Sequence, residues 1–518
     1  MDETSFKQSS QNNRRIAKNT LMLYFRMILS MLVTLYTSRV VLNVLGVEDF
    51  GIYNVVGGVV TMFGFFNGAM ASATQRFLSY EIGRNNFGQL KKTFNVAQII
   101  HVCIGLLIFI LAETIGLWFV NNYLNIPTGR MEAARWIYHF AVLSFLVSII
   151  QVPYNAVIIA RERMDVYAYV SILEVSLKLL IVFMLKWIVF DKLKLYGILI
   201  FVVTCIIASI YRIYCRKNFN ETAFEIVKEK SLYRTLVSYS GWNLFGNIAA
   251  VAKGQGITII LNIFFGTIVN AAQGVSNQVN GAVQSFVFNF QTAVNPQIIK
   301  SYAADNKEYM TNLIIQSAKF SFYLLFILAL PIILEIDIIL RLWLKTIPEY
   351  TALFTVLILI NALIESMSGS LMTAVQATGK IRAYQLVVGT LLILILPVSY
   401  LFFKLDYPPD STFVVCIFIS IIALIVRLYF IRRYIPEFHI SRFLGEILLK
   451  NIPIVAFFIA LPMAFRVQMS TGWLRLVLVF ISSVISCATV IYLIGLNRVE
   501  RKYMKRCAQK IFSVFKLR

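Results

Sequence analysis

The 518-residue chain is 59% hydrophobic and 14% charged, with a mean hydropathy of +0.75 and a formal net charge of +23. Soluble domains carry roughly 45–50% apolar and 25% charged residues, so a water-soluble enzyme is excluded and an all-α, polytopic membrane protein of about fourteen spanning helices is expected. The positive charge does not call for nucleic acid, because the basic residues are spread over many loops whose spacing membrane insertion already explains.

Apolar runs of about 20 residues, long enough to cross a bilayer, predict spans near 20–44, 51–74, 94–120, 136–160, 165–190, 195–215, 236–265 and 268–292. The remaining runs fall near 313–335, 351–375, 386–403, 412–431, 451–468 and 474–496. Numbered 1 to 14, these divide the chain into an N-terminal lobe (1–215), a C-terminal lobe (216–431) and a last part (432–518) with spans 13 and 14 and a basic tail. The first run is longer than a signal-peptide core and lacks a small-residue cleavage site, so it is expected to remain as span 1. Of the 48 Lys and Arg, 34 lie in connections on the side of the N-terminus, 10 in the opposite ones and the rest inside spans. Cations in short loops resist translocation, which places both termini in the cytoplasm.

Cys103, Cys205, Cys416 and Cys487 lie in spans and no CxxC occurs, so no disulfide framework is expected. His101, His139 and His439 are far apart and lack metal-ligand spacing, so neither a metal nor another cofactor is expected. No soluble domain interrupts the chain, which argues against a membrane glycosyltransferase or polymerase built on long external loops. Glu48 and Asp49, just after span 1, read as a solvated turn.

A weak internal repeat sets span 1, Leu45-Gly46, span 2 and Ser79-Tyr80 against span 7, Phe265-Gly266, span 8 and Ser301-Tyr302, about 220 residues later. Repeated halves commonly rock about a central site in secondary transporters. On span 8, Gln273, Asn277, Asn280, Gln284 and Gln291 fall close to one line at 100° per residue, an amide stripe that predicts a hydrated cavity. Asn54 on span 2, and Asn243 and Asn247 on span 7, make smaller stripes; close helix packing with interhelical amide bonds is the alternative. Four cations fall inside spans: Arg26, Arg39, Lys178 and Lys253. A charge at membrane depth costs at least about 2.5–3.5 kcal/mol and usually faces a cavity or a partner. Arg26 and Arg39 are near enough to opposite ends of span 1 to snorkel, and Lys178 follows Glu174 by four residues, the order that favours an intrahelical pair. Lys253 has no acid at helical spacing. Glu113, Glu335 and Glu365 are the other acids near membrane depth, and a proton or sodium site on any of them stays open.

Several short segments resemble bacterial O-antigen and capsular polysaccharide flippases. They are Arg15-Ile16-Ala17-Lys18-Asn19-Thr20, Leu45-Gly46-Val47-Glu48-Asp49-Phe50-Gly51-Ile52-Tyr53, Gln75-Arg76-Phe77-Leu78, Asn295-Pro296-Gln297, Leu342-Trp343-Leu344 and Gln376-Ala377-Thr378-Gly379-Lys380. This Wzx type lies within the multidrug, oligosaccharidyl-lipid and polysaccharide exporter superfamily. The resemblance implies two six-helix lobes around a V-shaped cavity, with spans 13 and 14 appended, in the bacterial inner membrane. By position it makes Arg26 and Arg39, with Lys253 from the second lobe, the cations that hold a lipid-linked pyrophosphate, although lysine offers a point charge where arginine offers a fork. The expected activity is transport rather than catalysis: alternating-access flipping of an undecaprenyl-pyrophosphate-linked oligosaccharide for surface polysaccharide. The expected partners are that substrate, membrane lipids and a coupling H+ or Na+. A cation-coupled multidrug exporter of the same superfamily is the alternative.

Overall fold

The computed structural model describes residues 3–61, 63–124, 126–185, 187, 190–344, 347–495 and 501. Among them there are helices and turns and no strand, as expected where lipid offers peptide groups no partner. The helices are α1 (Glu3–Thr61), α2 (Gly64–Gly83), α3 (Phe87–Leu111), α4 (Leu117–Tyr123), α5 (Met131–Ala160), α6 (Met164–Met184), α7 (Lys192–Asn218), α8 (Lys230–Ala303) and α9 (Lys307–Leu334). They continue as α10 (Ile336–Trp343), α11 (Thr351–Ser366), α12 (Gly369–Ala377), α13 (Arg382–Lys404), α14 (Ser411–Tyr434), α15 (Ile440–Phe443), α16 (Lys450–Gln468) and α17 (Trp473–Val490).

Eleven helical stretches among the described residues are long and apolar enough to cross a membrane, or twelve if Glu48–Val60 and Gly64–Gly83, bent by 49°, make one broken crossing. The protein is a multi-pass membrane protein. The expected fourteen differs from this count in part because α8, 74 residues long, is counted once. Broken at Gly266, it carries expected spans 7 and 8 as its two halves. Phe457–Gln468, within expected span 13, is a shorter apolar helix.

The repeat is written into the backbone. α1 breaks at Gly46 (φ 84°, ψ 168°) and α8 at Gly266 (φ 76°, ψ −167°), two positions 220 residues apart in a region of φ/ψ space that is essentially reserved for glycine. The turns that follow match as well. Asn85 and Asp305 both adopt left-handed φ, 54° and 57°. The Asn86 N–H donates to Glu81 O (3.1 Å) and that of Asn306 to Ser301 O (2.9 Å), the closing bond of a helix C-terminal cap. Each asparagine side chain then accepts an N–H of the next helix, from Gln89 and from Tyr309.

The chain forms two compact units. The first comprises Met1–Ala252, Thr292–Met310 and Thr373–Thr390, the second Lys253–Gln291, Thr311–Met372 and Leu391–Arg518. The first thus takes in three stretches, 216–252, 292–310 and 373–390, that the division at 215/216 assigns to the C-terminal lobe, and polar contacts show what holds them. Glu162, buried and left-handed (φ 58°) in the turn after α5, accepts from Gln297 Nε2 at 2.7 Å and from Lys300 Nζ, and pairs with Arg15 at 3.3 Å. Arg76 of α2 donates to the carbonyls of Gln376 (3.1 Å) and Ala377 (2.7 Å) and stacks on Phe77, Tyr80 and Tyr239. Apolar packing does the rest: Leu78, Phe94, Tyr154 and Tyr211 of α2, α3, α5 and α7 share one core of the first unit. In the second unit Leu261, Phe354, Ile395 and Phe413 tie α8, α11, α13 and α14.

At the predicted external end of the first unit, Arg130 bonds both Asp49 (Nε–Oδ1 2.8 Å) and Asp191 (Nη1–Oδ2 2.8 Å). Asp49 is therefore an ion-pair partner and not part of a freely solvated turn. Asp191 also caps α7 through the N–H groups of Leu193 and Lys194. Partial burial pushes its acidity one way, but the Arg130 hydrogen bonds and the capped N–H groups outweigh it and hold the carboxyl below the ordinary aspartate range.

Two outcomes follow for the detergent-solubilised chain. A Cβ built on Gly46 or Gly266 meets nothing within 4 Å, so alanine there is penalised by backbone conformation alone; each substitution is expected to destabilise by about 1–3 kcal/mol, read as a lowered Tm. The Asp191 contribution is whole above the unfolded value near pH 4 and fades as pH falls through the depressed folded value. Between pH 6 and 3, the wild-type Tm should therefore fall more steeply than that of Asp191→Asn, and parallel slopes would contradict the assigned pairing.

Candidate functional site

In the second unit, the two halves of α8 meet α11 and α14 around a cavity of about 150 Å³. Lys253 enters from the first half of α8 and Glu365 from the last turns of α11, with Nζ and Oε1 3.1 Å apart. Ser420 of α14 donates to the same carboxylate oxygen at 3.3 Å, and Arg427, two turns further along α14, donates to Ser368 Oγ at 3.1 Å. Gln273, Asn277, Asn280 and Gln284 line the cavity from the second half of α8, and Asn361 stands one turn before Glu365. The carbonyl oxygens of Gln273, Asn280 and Asn361 are buried there without a hydrogen-bond partner. The site thus presents one closed ion pair beside several unused acceptors.

A second polar cavity, about 190 Å³, lies in the first unit. Asn67 and Gln75 reach it from α2, Ser148, Gln151 and Asn155 from α5, and Tyr167 from α6. Gln151 Nε2 donates to Asn155 Oδ1 at 3.3 Å. The Arg26 guanidinium of α1 lies 4.7 Å from the Tyr167 ring centroid, a cation–π arrangement. No acidic residue is among those lining this cavity.

The sequence-predicted residues separate into three groups. Lys253, Gln273, Asn277, Asn280 and Gln284 share the second unit's cavity, and Arg26 backs the Tyr167 wall of the first unit's. Lys178 lines neither. It is paired with Glu174 one turn earlier at 2.6 Å on a part-exposed face of α6, the i,i+4 geometry that neutralises a cation locally. Asn243, Asn247 and Gln291 line neither cavity. Asn243 Oδ1 accepts from Gln385 at 2.9 Å, Asn247 donates to Asn243 O at 2.9 Å, and Gln291 donates to Ser321 Oγ at 3.2 Å and Ser366 O at 3.1 Å. The side chains of Arg39 and Asn54 lie outside the described residues.

Of the three acids left open by sequence, Glu113 meets His139 at 2.9 Å and Glu335 meets Arg475 at 2.8 Å, while Glu365 takes Lys253. The sequence reading missed Asn67, Gln75, Gln151, Asn155, Asn361, Ser420 and Arg427. Part of the signal was present: Gln151 and Asn155, like Asn361 and Glu365, are polar pairs at i,i+4 in the middle of apolar runs.

The fold has solved relatives. It superposes on the outward-facing conformation of a multidrug resistance MATE family transporter of the MOP superfamily with a TM-score of 0.71 at 12% identity, over 82% of this chain and 96% of that one. For the Vibrio cholerae MATE transporter VcmN in its bent form the values are 0.71, 14%, 83% and 98%, and for the MATE transporter ClbM in complex with Rb+ they are 0.66, 13%, 80% and 95%. This chain has the MATE transporter fold. A model of the MatE family matches residues 23–184. A search of curated proteins by sequence finds no match. Within the MATE fold as this chain builds it, Lys253 and Glu365 are the charged pair placed in a cavity of the second unit.

Breaking one side of such a pair leaves a charge uncompensated at membrane depth. Lys253→Met is expected to destabilise by about 2–3 kcal/mol, less than the roughly 3–5 for fully buried pairs, because 36% of the Glu365 side chain stays open. Lys253→Met/Glu365→Met should recover at least half of that loss in thermal melts. A double variant as unstable as the sum of the singles would show that the two groups act independently.

Proposed function

We propose that this chain is an exporter that works by alternating access and couples cargo movement to a proton or monovalent cation at Glu365. The observation that carries the reading is the Lys253–Glu365 pair in a cavity whose other polar atoms are largely unused acceptors. A proton or cation reaching Glu365 competes with the Lys253 ammonium for the same carboxylate. The displaced ammonium then finds the carbonyl oxygens of Gln273, Asn280 and Asn361 within the same cavity. One carboxylate with two exchangeable partners is the kind of two-state element through which an ion biases a conformational equilibrium.

A second observation bears on the cargo. The first unit's cavity offers amides and a tyrosine backed by Arg26, and no acid. A cationic drug finds no countercharge there, whereas sugar hydroxyls find donors and acceptors and an anionic head group finds a guanidinium nearby. This favours a lipid-linked oligosaccharide, of the undecaprenyl-pyrophosphate type, as the cargo. Moving its anionic head outward in an inside-negative membrane is downhill by up to about 2.3 kcal/mol per charge per 100 mV.

Proteoliposomes with an imposed H+ or Na+ gradient separate the two statements. Glu365→Gln is expected to cut gradient-driven transport at least about tenfold, the effect of about 1.4 kcal/mol, with the protein still folded; undiminished gradient-driven transport by that variant overturns the coupling. In parallel, wild type should translocate a lipid-linked oligosaccharide and leave ethidium untouched, and the opposite pattern assigns the chain to drug export.

A further inference from the structure

A cavity of about 420 Å³ lies in the first unit between α3, α5 and α7, and shares Gln151 with the polar cavity described above. Its chemistry changes along its length. At the end where α3 begins and α7 finishes, Arg212 and Arg216 stand one turn apart on the same face of α7, both exposed and both lining the groove. Farther in, Val102, Val147, Ile150 and Cys205 make the walls. Val102 is fifteen residues from the start of α3, about 22 Å at the helical rise.

The two arginines are uncompensated. The acids at this end serve other cations: Glu221 takes Arg161 at 2.7 Å, Glu225 takes Lys91 at 2.7 Å and Asp165 takes Arg163 at 3.1 Å. Among the described residues no acid pairs with Arg212 or Arg216. Gln98, also in the lining, donates to Ile150 O at 3.1 Å, and its own carbonyl oxygen is buried without a donor. On the adjoining face of α7, Val202, Ile206 and Ile213 are exposed and apolar, as befits a helix in contact with lipid. The groove is thus bordered by the bilayer, cationic where the head groups lie and apolar where the chains lie.

We propose that this groove holds an anionic glycerophospholipid, with its phosphodiester between Arg212 and Arg216 and one acyl chain along Val102, Val147 and Ile150. Guanidinium groups bind phosphate oxygens through paired hydrogen bonds, and basic pockets between membrane helices on the cytoplasmic side select anionic head groups. The bias of the basic loops places this end in the cytoplasm. Zwitterionic lipid brings the same chains but also an ammonium that the two arginines repel. Free phosphate brings the anion without the chain.

The full chain in nanodiscs of equal phosphatidylglycerol and phosphatidylcholine tests this by native mass spectrometry of the lipids retained after release. Two basic residues at a membrane surface correspond to roughly a thirtyfold preference for the anionic lipid. Arg212→Gln/Arg216→Gln is expected to lose most of that preference, and Arg212→Lys/Arg216→Lys to retain most of it. Lys217→Gln/Arg234→Gln, outside the groove, should leave it unchanged and serve as the control for nonspecific charge. Millimolar inorganic phosphate should not displace the lipid. Equal retention of the two lipids by wild type, an undiminished preference in the double glutamine variant, or displacement by phosphate alone each overturns the proposal. A double glutamine variant that melts below wild type is read against Arg212→Ala/Arg216→Ala at a temperature where both are folded, and preference surviving in that pair also counts against it.

Discussion

Hydrocarbon offers no hydrogen-bond partner to a peptide group and no counterion to a charge, so a chain that lives in it must find both within itself. The backbone meets the first demand with helices joined by turns, and no strand is found among the described residues. The side chains meet the second by pairing: Lys253 with Glu365, Lys178 with Glu174, Glu113 with His139, Glu335 with Arg475, and Arg26 against the ring of Tyr167. Against that background the exceptions carry information. Carbonyl oxygens left without donors inside a cavity, or arginines without acids at a helix end, mark places where something other than the protein completes the valence.

The two units answer the same constraint differently. In the second, one carboxylate is shared among lysine, serine and a wall of amides, so its occupancy decides the local charge. In the first, the polar cavity is lined by neutral groups, and Arg26 stands behind the aromatic ring of Tyr167. An exporter needs both a group whose charge state changes and a surface that tolerates a bulky polar cargo. The proposed division of labour places the changing group with Glu365 and the tolerant surface with Asn67, Gln75, Gln151, Asn155 and Tyr167.

The repeat sharpens that contrast. Gly46 and Gly266 break their helices at matching points, and the turns at Asn85-Asn86 and Asp305-Asn306 close with the same hydrogen bonds. Charge does not follow the same symmetry: the glutamate that anchors the turn after α5, Glu162, binds Gln297, Lys300 and Arg15, whereas the turn after α12 offers only its backbone carbonyls to Arg76. Backbone geometry is set by glycine and by local caps, which survive wherever the turn must be made. Ion pairs are set by whichever side chains meet across the fold.

That difference also divides what could be read in advance. Composition and apolar run length determined the membrane class and the helical fold, because both depend on transfer energies that add along the chain without regard to neighbours. The glycine repeat was legible because a left-handed break is a property of one residue. The amide stripe of α8 was legible over four of its five members, since helical periodicity puts them on one face; Gln291 fell out because a stripe does not say where cavity ends and packing begins. What only the tertiary structure decided was which partner each charge has. Lys253 has no acid within reach along its own helix, and Glu365 lies 112 residues away. Asn243, whose side-chain carbonyl accepts from Gln385, cannot be told by sequence from Asn280, whose carbonyl is left open. The cost of a buried charge or amide depends on the distance to its partner, and in a bundle of helices that distance is fixed by packing between segments remote in the chain.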